Sequence, residues 1–284
     1  MTGILVVNKD KDYTSRDVVN IVGKILGTKK VGHTGTLDPL ARGVLVIPIG
    51  KCLKLSELLT SYDKEYIATV KLGLTTDTLD ITGDVIARDN DVKVSRLELE
   101  NVLNSFKGHI KQEVPKYSAV KVNGRKLYEY ARAGIEVKLP VRDVFIEEIE
   151  LLDYDLVDTF TFRCRVSKGT YIRSLIRDIG ASLGTGAVMT DLLRTKQGDF
   201  KIENSYTLTD IENGNYELLK PEAILNIPVI SVDSDMEFKI RNGQVLKSFF
   251  TCPMAFIANS SGEVLALYKK TSDDKVRPYK MLLS

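Results

Sequence analysis

One loop of the chain, residues 32–41, holds a carboxylate and an imidazole in a setting that restricts the backbone. Its sequence, GHTGTLDPLA, contains Asp38 and His33 among two glycines, two threonines and one proline. Pro39 keeps Asp38 away from helical backbone angles, and the glycines permit a tight loop. The alternative is an ordinary turn in which Asp38 accepts hydrogen bonds from its own backbone. The pattern indicates a carboxylate that is placed for chemistry rather than merely solvated.

Further motifs accompany this loop in a fixed order. They are DKEY (residues 63–66), LGLTTDTLDITG (72–83), VPKYSAVKVNGRKLYEYAR (114–132), SKGTYIRSLIRDIG (167–180) and DLLRT (191–195). Together with GHTGTLDPLARG, they resemble the motifs of the TruB family of bacterial tRNA pseudouridine-55 synthases. The resemblance covers roughly residues 3–200, and a set of matches in the same order is far more specific than any one of them.

The resemblance implies an enzyme that isomerises uridine to pseudouridine in the TΨC arm of tRNA, at position 55. The C–N glycosidic bond breaks, the freed uracil rotates, and a C–C bond forms to the same ribose. No cofactor is expected, because the reaction is redox-neutral and no atom is gained or lost. The reaction requires a nucleophile, an aromatic ring to stack on the base, a nearby cation and a site that excludes water. The target base must also be flipped out, at a cost of a few kcal/mol.

By resemblance, three residues are catalytic. Asp38 matches the nucleophile, and a carboxylate suits attack on either C1′ of the ribose or C6 of the uracil. Tyr66 matches the tyrosine that stacks on the target base and assists the proton step. Arg173 matches the arginine that pairs with the family's aspartate, because a guanidinium fork binds a carboxylate bidentately and keeps it ionised. Without the motifs, Tyr66 would be interpreted as a core residue and Arg173 as a surface residue.

Four more residues match substrate-binding positions of the family. His33 matches a histidine that stacks within the RNA or fills the space that the flipped base leaves, and Lys54 matches a pocket lysine. Tyr171 matches a second tyrosine at the nucleotide, and Leu192 matches the position whose backbone meets the uracil edge. Taken alone, these residues have simpler interpretations: His33 bonds a loop carbonyl, Lys54 lies on a solvated helix face, and Leu192 belongs to the core.

The N-terminal motif departs from the family pattern. Where the family has Asp-Lys-Pro-x-Gly-x-Thr-Ser, residues 8–15 are NKDKDYTS, so Asp10 and Asp12 replace the proline and the glycine. The lysine, the threonine and the serine are retained. Because this segment does not carry the nucleophile, we expect the change to affect the loop's shape and its RNA contacts more than the activity.

Composition and order exclude several other classes of protein. Hydrophobic residues make up 43% of the chain, as in ordinary globular proteins, and no stretch approaches the ~20 apolar residues that span a bilayer. The N-terminal apolar run precedes its charges, which is the wrong order for a secretory signal. Three scattered cysteines and two histidines indicate neither disulfides nor a metal site. We therefore expect a cytoplasmic monomer that needs no metal, membrane or protein partner.

The charged residues are unevenly distributed, although the net charge is only +2. Residues 107–142 hold nine bases against three acids, and residues 163–201 hold eight against three. Residues 143–160 hold seven acids and no Lys or Arg. Such blocks can fold into one basic face that binds phosphates in a salt-dependent way, although an ordinary patchy surface is the alternative. We expect tRNA to bind through the two basic blocks.

The periodicities predict an α+β fold, with a mixed, mainly antiparallel sheet flanked by helices as in pseudouridine synthases, because strands and helices do not alternate regularly. Predicted strands cover 4–7, 44–49, 65–72, 137–152, 159–167, 255–258 and 264–268, and predicted helices begin at Ser15, Ser95, Lys126 and Tyr171. Composition changes after residue 201. We expect a catalytic domain over residues 1–225 and a small, β-rich, RNA-binding domain over residues 226–284.

Two alternatives to a tRNA pseudouridine-55 synthase stay open at this point. A non-catalytic RNA-binding or tRNA-folding module would keep the fold, but the intact Asp38, Tyr66 and Arg173 argue against it. A pseudouridine synthase with another RNA target is compatible with the same motifs.

Overall fold

The computed structural model describes residues 1–272 and 274–283. The strands are β1 (Gly3–Lys9), β2 (Arg42–Ile49), β3 (Lys64–Leu72), β4 (Leu74–Thr76), β5 (Val85–Arg88), β6 (Gly108–Glu113), β7 (Lys121–Val122), β8 (Arg125–Lys126), β9 (Val141–Tyr154), β10 (Thr159–Val166), β11 (Ala187–Gln197), β12 (Phe200–Lys201), β13 (Val229–Ser231), β14 (Leu246–Lys247), β15 (Met254–Ala258), β16 (Val264–Ser272) and β17 (Lys275–Met281). The α-helices are α1 (Ser15–Ile25), α2 (Ser56–Thr60), α3 (Arg96–Ser105), α4 (Leu127–Arg132), α5 (Ile172–Ser182), α6 (Leu208–Glu212), α7 (Pro221–Ile224) and α8 (Ser234–Arg241), and 3₁₀ helices span Gly50–Leu55 and Ile202–Asn204.

The chain divides into two compact units. The first unit contains residues 1–38, 44–61 and 203–284, and the second unit contains residues 39–43 and 62–202. One of the divisions falls directly after Asp38, within the predicted catalytic loop. In the residues described, no helix has the length and the apolar character that crossing a membrane requires.

The second unit is built on an antiparallel sheet in the order β11-β3-β10-β9-β6. Buried and partly exposed residues alternate along β3, as a strand with one covered face requires. Helix α5 packs against β3 and β11. Its apolar positions Leu175, Ile176 and Ile179 are fully buried, and each such side chain stabilises the fold by about 1.5–3 kcal/mol.

A short parallel pairing joins the start of β2 to this sheet. Arg42 and Gly43 lie beside Leu193 and Arg194 of β11. Gly43 has φ +101°, and a side chain there would collide with the Arg194 carbonyl. A residue other than glycine would therefore push the segment that follows Asp38 away from β11.

The first unit contains the N-terminal strand β1 next to β2, helix α1 and a C-terminal sheet. The C-terminal sheet has the order β13-β15-β16-β17-β14, and its core includes Ile240, Ile257, Leu265 and Tyr268. The α+β class and the β-rich C-terminal region are thus confirmed. The boundary after residue 225 and the RNA-binding role of this region stay predictions.

Three details of the predicted elements need correction. Ser15, at the predicted start of α1, is a typical capping residue, but Thr14 caps the helix: its side chain accepts from the Asp17 amide, and Asp17 accepts from Thr14 in return. Strand β9 begins at Val141 rather than at 137, directly after Pro140, which cannot donate to a strand ladder. Strand β11 was not predicted, because its polar residues and two register shifts interrupt the simple alternation.

Candidate active site

The loop that carries Asp38 is fixed by a serine of helix α1. The buried Ser15 hydroxyl accepts a hydrogen bond from the Leu37 amide at 2.8 Å and donates one to the Leu37 carbonyl at 3.0 Å. Leu37 itself is buried. Both polar groups of the residue before Asp38 are therefore held by one side chain, which limits the positions open to the carboxylate. The retained serine of the N-terminal motif thus has a structural explanation.

His33 lies in the same loop, beside strand β2. The amides of its neighbours, Gly32 and Thr34, donate to the carbonyls of Pro48 and Val46, each at 3.1 Å. The His33 side chain is half-buried. The backbone of this part of the loop is therefore held on both sides of the histidine, and its contact with RNA stays a prediction.

Lys54 lies in the first unit, in the 3₁₀ helix that follows β2. Its side chain is exposed, and its Nζ donates to the Met281 carbonyl at 2.7 Å. That bond connects the 3₁₀ helix after β2 to the last strand of the C-terminal sheet. This geometry corresponds to the simpler interpretation of Lys54, and its substrate-binding role stays a prediction.

The altered N-terminal motif keeps a backbone conformation that suits glycine. Asp12 has φ +69°, in the left-handed region that aspartate tolerates better than most residues. Lys9 is fully buried, and its Nζ donates to the carbonyls of Asp10 at 2.8 Å and Tyr13 at 2.7 Å. The lysine thus closes this turn, and Asp12 replaces glycine at a position where φ is positive.

Tyr66 faces a buried arginine across two strands of the second unit. Tyr66 on β3 pairs with Arg194 on β11, and both side chains are almost inaccessible, at 6% and 0% exposure. Arg194 Nη1 lies 3.5 Å from the Tyr66 hydroxyl, and its guanidinium carbon lies 6.0 Å from the ring centroid. Leu192, also buried, pairs with Ala68 two residues along the same strands. The sheet therefore brings Tyr66 and Leu192 together.

Arg173 is buried in the first turn of α5, which excludes the surface interpretation. Its Nη1 donates to the Thr78 carbonyl at 2.8 Å, and its Nη2 donates to the Tyr117 carbonyl at 3.0 Å. The carboxylate of Asp80 lies 3.8 Å from Nη1. Asp80 in turn accepts from the amide and hydroxyl of Thr82, at 3.0 and 2.6 Å. The guanidinium is thus oriented by groups from two other motifs of the second unit.

Tyr171 precedes Arg173 at the N-terminal end of the same helix. Its amide donates to Oε1 of the buried Gln112 at 2.7 Å. Ser174, one residue beyond Arg173, donates to the Glu113 carbonyl at 2.8 Å. Adjacent residues of β6 therefore hold the start of α5. The side chain of Tyr171 is half-buried.

Lys64, two residues before Tyr66, is a buried cation. Burial, followed by the positive charge of Arg194, lowers the pKa of Lys64 to about 8, even though Asp63 opposes the shift. Its Nζ donates to the Tyr62 carbonyl at 2.7 Å. The start of β3 therefore carries a lysine that loses its proton at a lower pH than an exposed lysine does.

Sequence reasoning assigned no role to Arg194 or Asp80, although both lie within the motifs that carry the resemblance. Arg194 occupies a buried position of β11 in register with Tyr66. Once β11 is paired with β3, an arginine at a buried strand position is a clear signal, since unpaired buried charges are costly. Asp80 lacks such a signal, because its TTDTLD context also suits an exposed turn.

Comparisons with known proteins identify the family to which the chain belongs. The family model "TruB family pseudouridylate synthase (N terminal domain)" matches residues 23–172, and the model "tRNA pseudouridylate synthase B C-terminal domain" matches residues 173–227. A relative from Halalkalibacterium halodurans named tRNA pseudouridine synthase B is 43% identical over 99% of this chain and 98% of its own length. Another, from Geobacillus kaustophilus, is 46% identical over 87% of this chain and 91% of its own length.

Solved structures give the same result at lower identity. A chain of a crystal structure titled as a Cbf5–Nop10–Gar1 complex matches with a TM-score of 0.72 and 26% identity, over 99% of this chain and 85% of that one. A family model that matches more than half of the chain, together with relatives that match it almost from end to end, leads to one conclusion. This chain belongs to the TruB family of pseudouridylate synthases.

Proposed function

We propose that this pseudouridine synthase isomerises uridine 55 in the TΨC arm of tRNA, with Asp38 as the nucleophile. The observation that carries the proposal is the match, almost from end to end, to a relative named tRNA pseudouridine synthase B. The loop around Asp38 adds support, because Ser15 fixes both backbone groups of Leu37 and so limits the carboxylate's positions.

The buried residues of the second unit supply the other parts of the chemistry. Tyr66 offers an aromatic ring on which a flipped uracil can stack. Arg194, 3.5 Å from the Tyr66 hydroxyl, favours a developing negative charge on that oxygen and so assists a proton transfer. The oriented guanidinium of Arg173 favours the ionised form of a nearby carboxylate. The burial of these side chains limits the access of water to the reaction.

No step of the proposed reaction requires an oxidant, a reductant or a group donor. The glycosidic C–N bond breaks, a C–C bond forms to the same ribose, and the proton on C5 of the uracil moves to nitrogen. Asp38 forms a transient covalent bond to the substrate and is released when pseudouridine forms. We expect a cytoplasmic monomer to carry out this reaction.

The direct test is the conversion of an unmodified tRNA transcript by the purified protein. We expect one pseudouridine per tRNA, located at position 55 by chemical mapping, and none in a transcript with cytidine at that position. Excess chelator should not change the rate while the tRNA stays folded. Sequencing of pseudouridines in tRNA from a strain that lacks the gene should show the loss of the same modification.

Two outcomes would contradict the proposal. Tight binding of tRNA without any isomerisation would favour a non-catalytic tRNA-folding module. Conversion of ribosomal RNA fragments in preference to tRNA would favour a pseudouridine synthase with another target.

A further inference from the structure

A groove of about 460 Å³ lies along the exposed side of helix α1 in the first unit. Arg16, Asn20 and Lys24 form the wall on the helix, and the segment 28–31, which contains Lys29, forms the other wall. We propose that this groove, here called the α1 groove, binds backbone phosphates of the tRNA substrate. This inference rests on the proposed function and assigns a second contact area to the same substrate, outside the basic blocks 107–142 and 163–201.

The local sequence explains why a groove forms at this place. Helix α1 ends in a Schellman motif, with Gly27 at φ +63°, the Thr28 amide donating to the Gly23 carbonyl at 2.9 Å and the Gly27 amide donating to the Lys24 carbonyl at 3.3 Å. A side chain at Gly23 would come within 2.9 Å of the Thr28 carbonyl oxygen. Glycine therefore lets the returning segment approach the helix and leaves an open channel between them.

The charges of the α1 groove have one sign. Arg16, Lys24 and Lys29 are exposed, and in residues 1–272 and 274–283 none of them forms an ion pair with a carboxylate. No acidic residue lines the groove, and Asn20 and Thr28 add polar groups that can donate hydrogen bonds. The acid in the first turn of the helix, Asp17, is bonded to the amide and the hydroxyl of Thr14, at 2.8 and 2.6 Å. A groove with these groups suits an anion.

The position of the α1 groove along the chain favours RNA over a free anion. Its second wall continues directly into the loop with His33 and Asp38, which the proposed function places at the target nucleotide. That wall is firmly held, because Val31 pairs with Ile49 of β2. Cations spread over two walls match the repeated charges of a nucleic acid backbone better than a single small anion.

Helix polarity is the main opposing effect. The C-terminal end of a helix carries partial negative charge and disfavours anions. Here the Schellman bonds engage the carbonyls of Gly23 and Lys24, and the Lys24 ammonium lies in the last turn of the helix. The lysine charge is a full unit, whereas the macrodipole contributes about half a unit, so the net field in the groove remains positive.

The test measures the salt dependence of binding to an unmodified full-length tRNA transcript. In the double variant Lys24→Gln/Lys29→Gln, the negative slope of log Kobs against log salt should become shallower by about 1.4–1.8, since each lost phosphate contact accounts for about 0.7–0.9. Asn20→Asp adds a negative charge with almost no change in volume and should weaken binding severalfold. The control is Lys220→Gln, because Lys220 is an exposed lysine of the first unit that lies in the acidic segment 202–237.

The outcomes separate the α1 groove from the proposed function. An unchanged salt slope in the double variant, or an equal loss of affinity in Lys220→Gln, would overturn the inference. Repeating the titration with an isolated TΨC stem-loop shows which part of the tRNA the α1 groove contacts. If the double variant weakens binding of both RNAs, the contacted phosphates lie in the TΨC arm. If it weakens binding of full-length tRNA only, they lie elsewhere in the tRNA. Pseudouridine formation by the wild-type protein is measured separately, so failure of the proposed function does not depend on these slopes.

Discussion

Asp38→Asn removes the charge of the proposed nucleophile and keeps the shape of its side chain. We expect kcat to fall by at least about 10⁴-fold, as is typical when a covalent nucleophile is removed, while folding and tRNA binding are retained. Asp10→Asn, at an exposed position of the first unit, is the matched control and should keep full activity. Multiple turnover by purified Asp38→Asn in an assay of pseudouridine formation in tRNA would exclude Asp38 as the nucleophile.

Arg173 combines a proposed catalytic role with a structural one. Arg173→Ala removes the donors to the Thr78 and Tyr117 carbonyls and leaves Asp80 without its cation, so we expect the free energy of unfolding to fall by about 3–5 kcal/mol. Arg173→Lys keeps the charge but loses the fork, so kcat should fall while the Kd for tRNA changes little.

Arg177→Ala, one turn later, is the control for Arg173. Arg177 is partly exposed and pairs with Glu113 and Asp178, so its loss should cost no more than about 1 kcal/mol. Denaturant unfolding and single-turnover rates on saturated complex measure both effects. An intact rate with weakened binding in Arg173→Lys would assign Arg173 to RNA binding instead of catalysis.

At the scale of elements, Ser15 of α1 holds the loop that carries the proposed nucleophile. Ser15→Ala leaves the buried amide and carbonyl of Leu37 without their partner, and we expect a loss of about 1–3 kcal/mol in the free energy of unfolding. The looser loop should also lower kcat more than it raises the Kd for tRNA. Ser56→Ala removes a hydroxyl bonded to the Leu53 carbonyl outside the loop, and it should lower stability without a specific effect on kcat. Equal kcat effects in both variants would argue against this role for Ser15.

Strand β3 starts at a buried lysine whose proton affinity depends on folding. Because the pKa of Lys64 is about 8 in the folded protein and 10.5 in the unfolded chain, the unfolded state binds the extra proton between these values. Below pH 8, the free energy of unfolding is lowered by the full cost of burying the charged ammonium. As the pH rises from 8 towards 10.5, folded Lys64 loses its proton and this cost disappears. The wild type should therefore gain up to about 3 kcal/mol relative to Lys64→Met between pH 7 and 10.5. Urea unfolding of both proteins at several pH values measures this difference. If the free energies of unfolding of the two proteins change with pH in the same way, the prediction is wrong.

The elements that could be predicted from sequence are those with a strong local signal. β3 and β10 alternate in polarity, and α1 and α5 have one apolar face, so local patterns were sufficient. β11 has no such pattern, because its role depends on register with β3, a non-local property that brings Arg194 beside Tyr66. Tyr66, Arg173 and Leu192 were predicted as site residues from their match to family motifs, and such a match requires no knowledge of packing. The carbonyl partners of Arg173 could not be predicted, because every residue has a backbone carbonyl and the sequence does not show which ones lie near the guanidinium.

At the scale of the whole molecule, the near-neutral net charge conceals the basic blocks that should bind RNA. In the block 107–142, the guanidinium of Arg132 and the ammonium of Lys126 lie 5.4 and 5.3 Å from the centroid of the Tyr128 ring. Arg125 lies 4.9 Å from the centroid of Tyr130. Cations held against half-buried aromatic rings combine the two features that bind nucleic acid backbones and bases. Lys220, in contrast, belongs to the acidic segment 202–237.

This difference gives the last prediction. Lys121→Glu and Arg132→Glu should each weaken tRNA binding and make the negative slope of log Kobs against log salt shallower by about 0.9 or more, because each removes a phosphate contact and adds a repulsive charge. Lys220→Glu should leave both quantities nearly unchanged. All three side chains are at least partly exposed, so the substitutions should be tolerated by the fold. Titrations at several salt concentrations distinguish a localised basic surface from the general charge of the protein. If the three variants lose the same affinity with the same change in slope, the net charge decides binding and the basic block 107–142 has no special role.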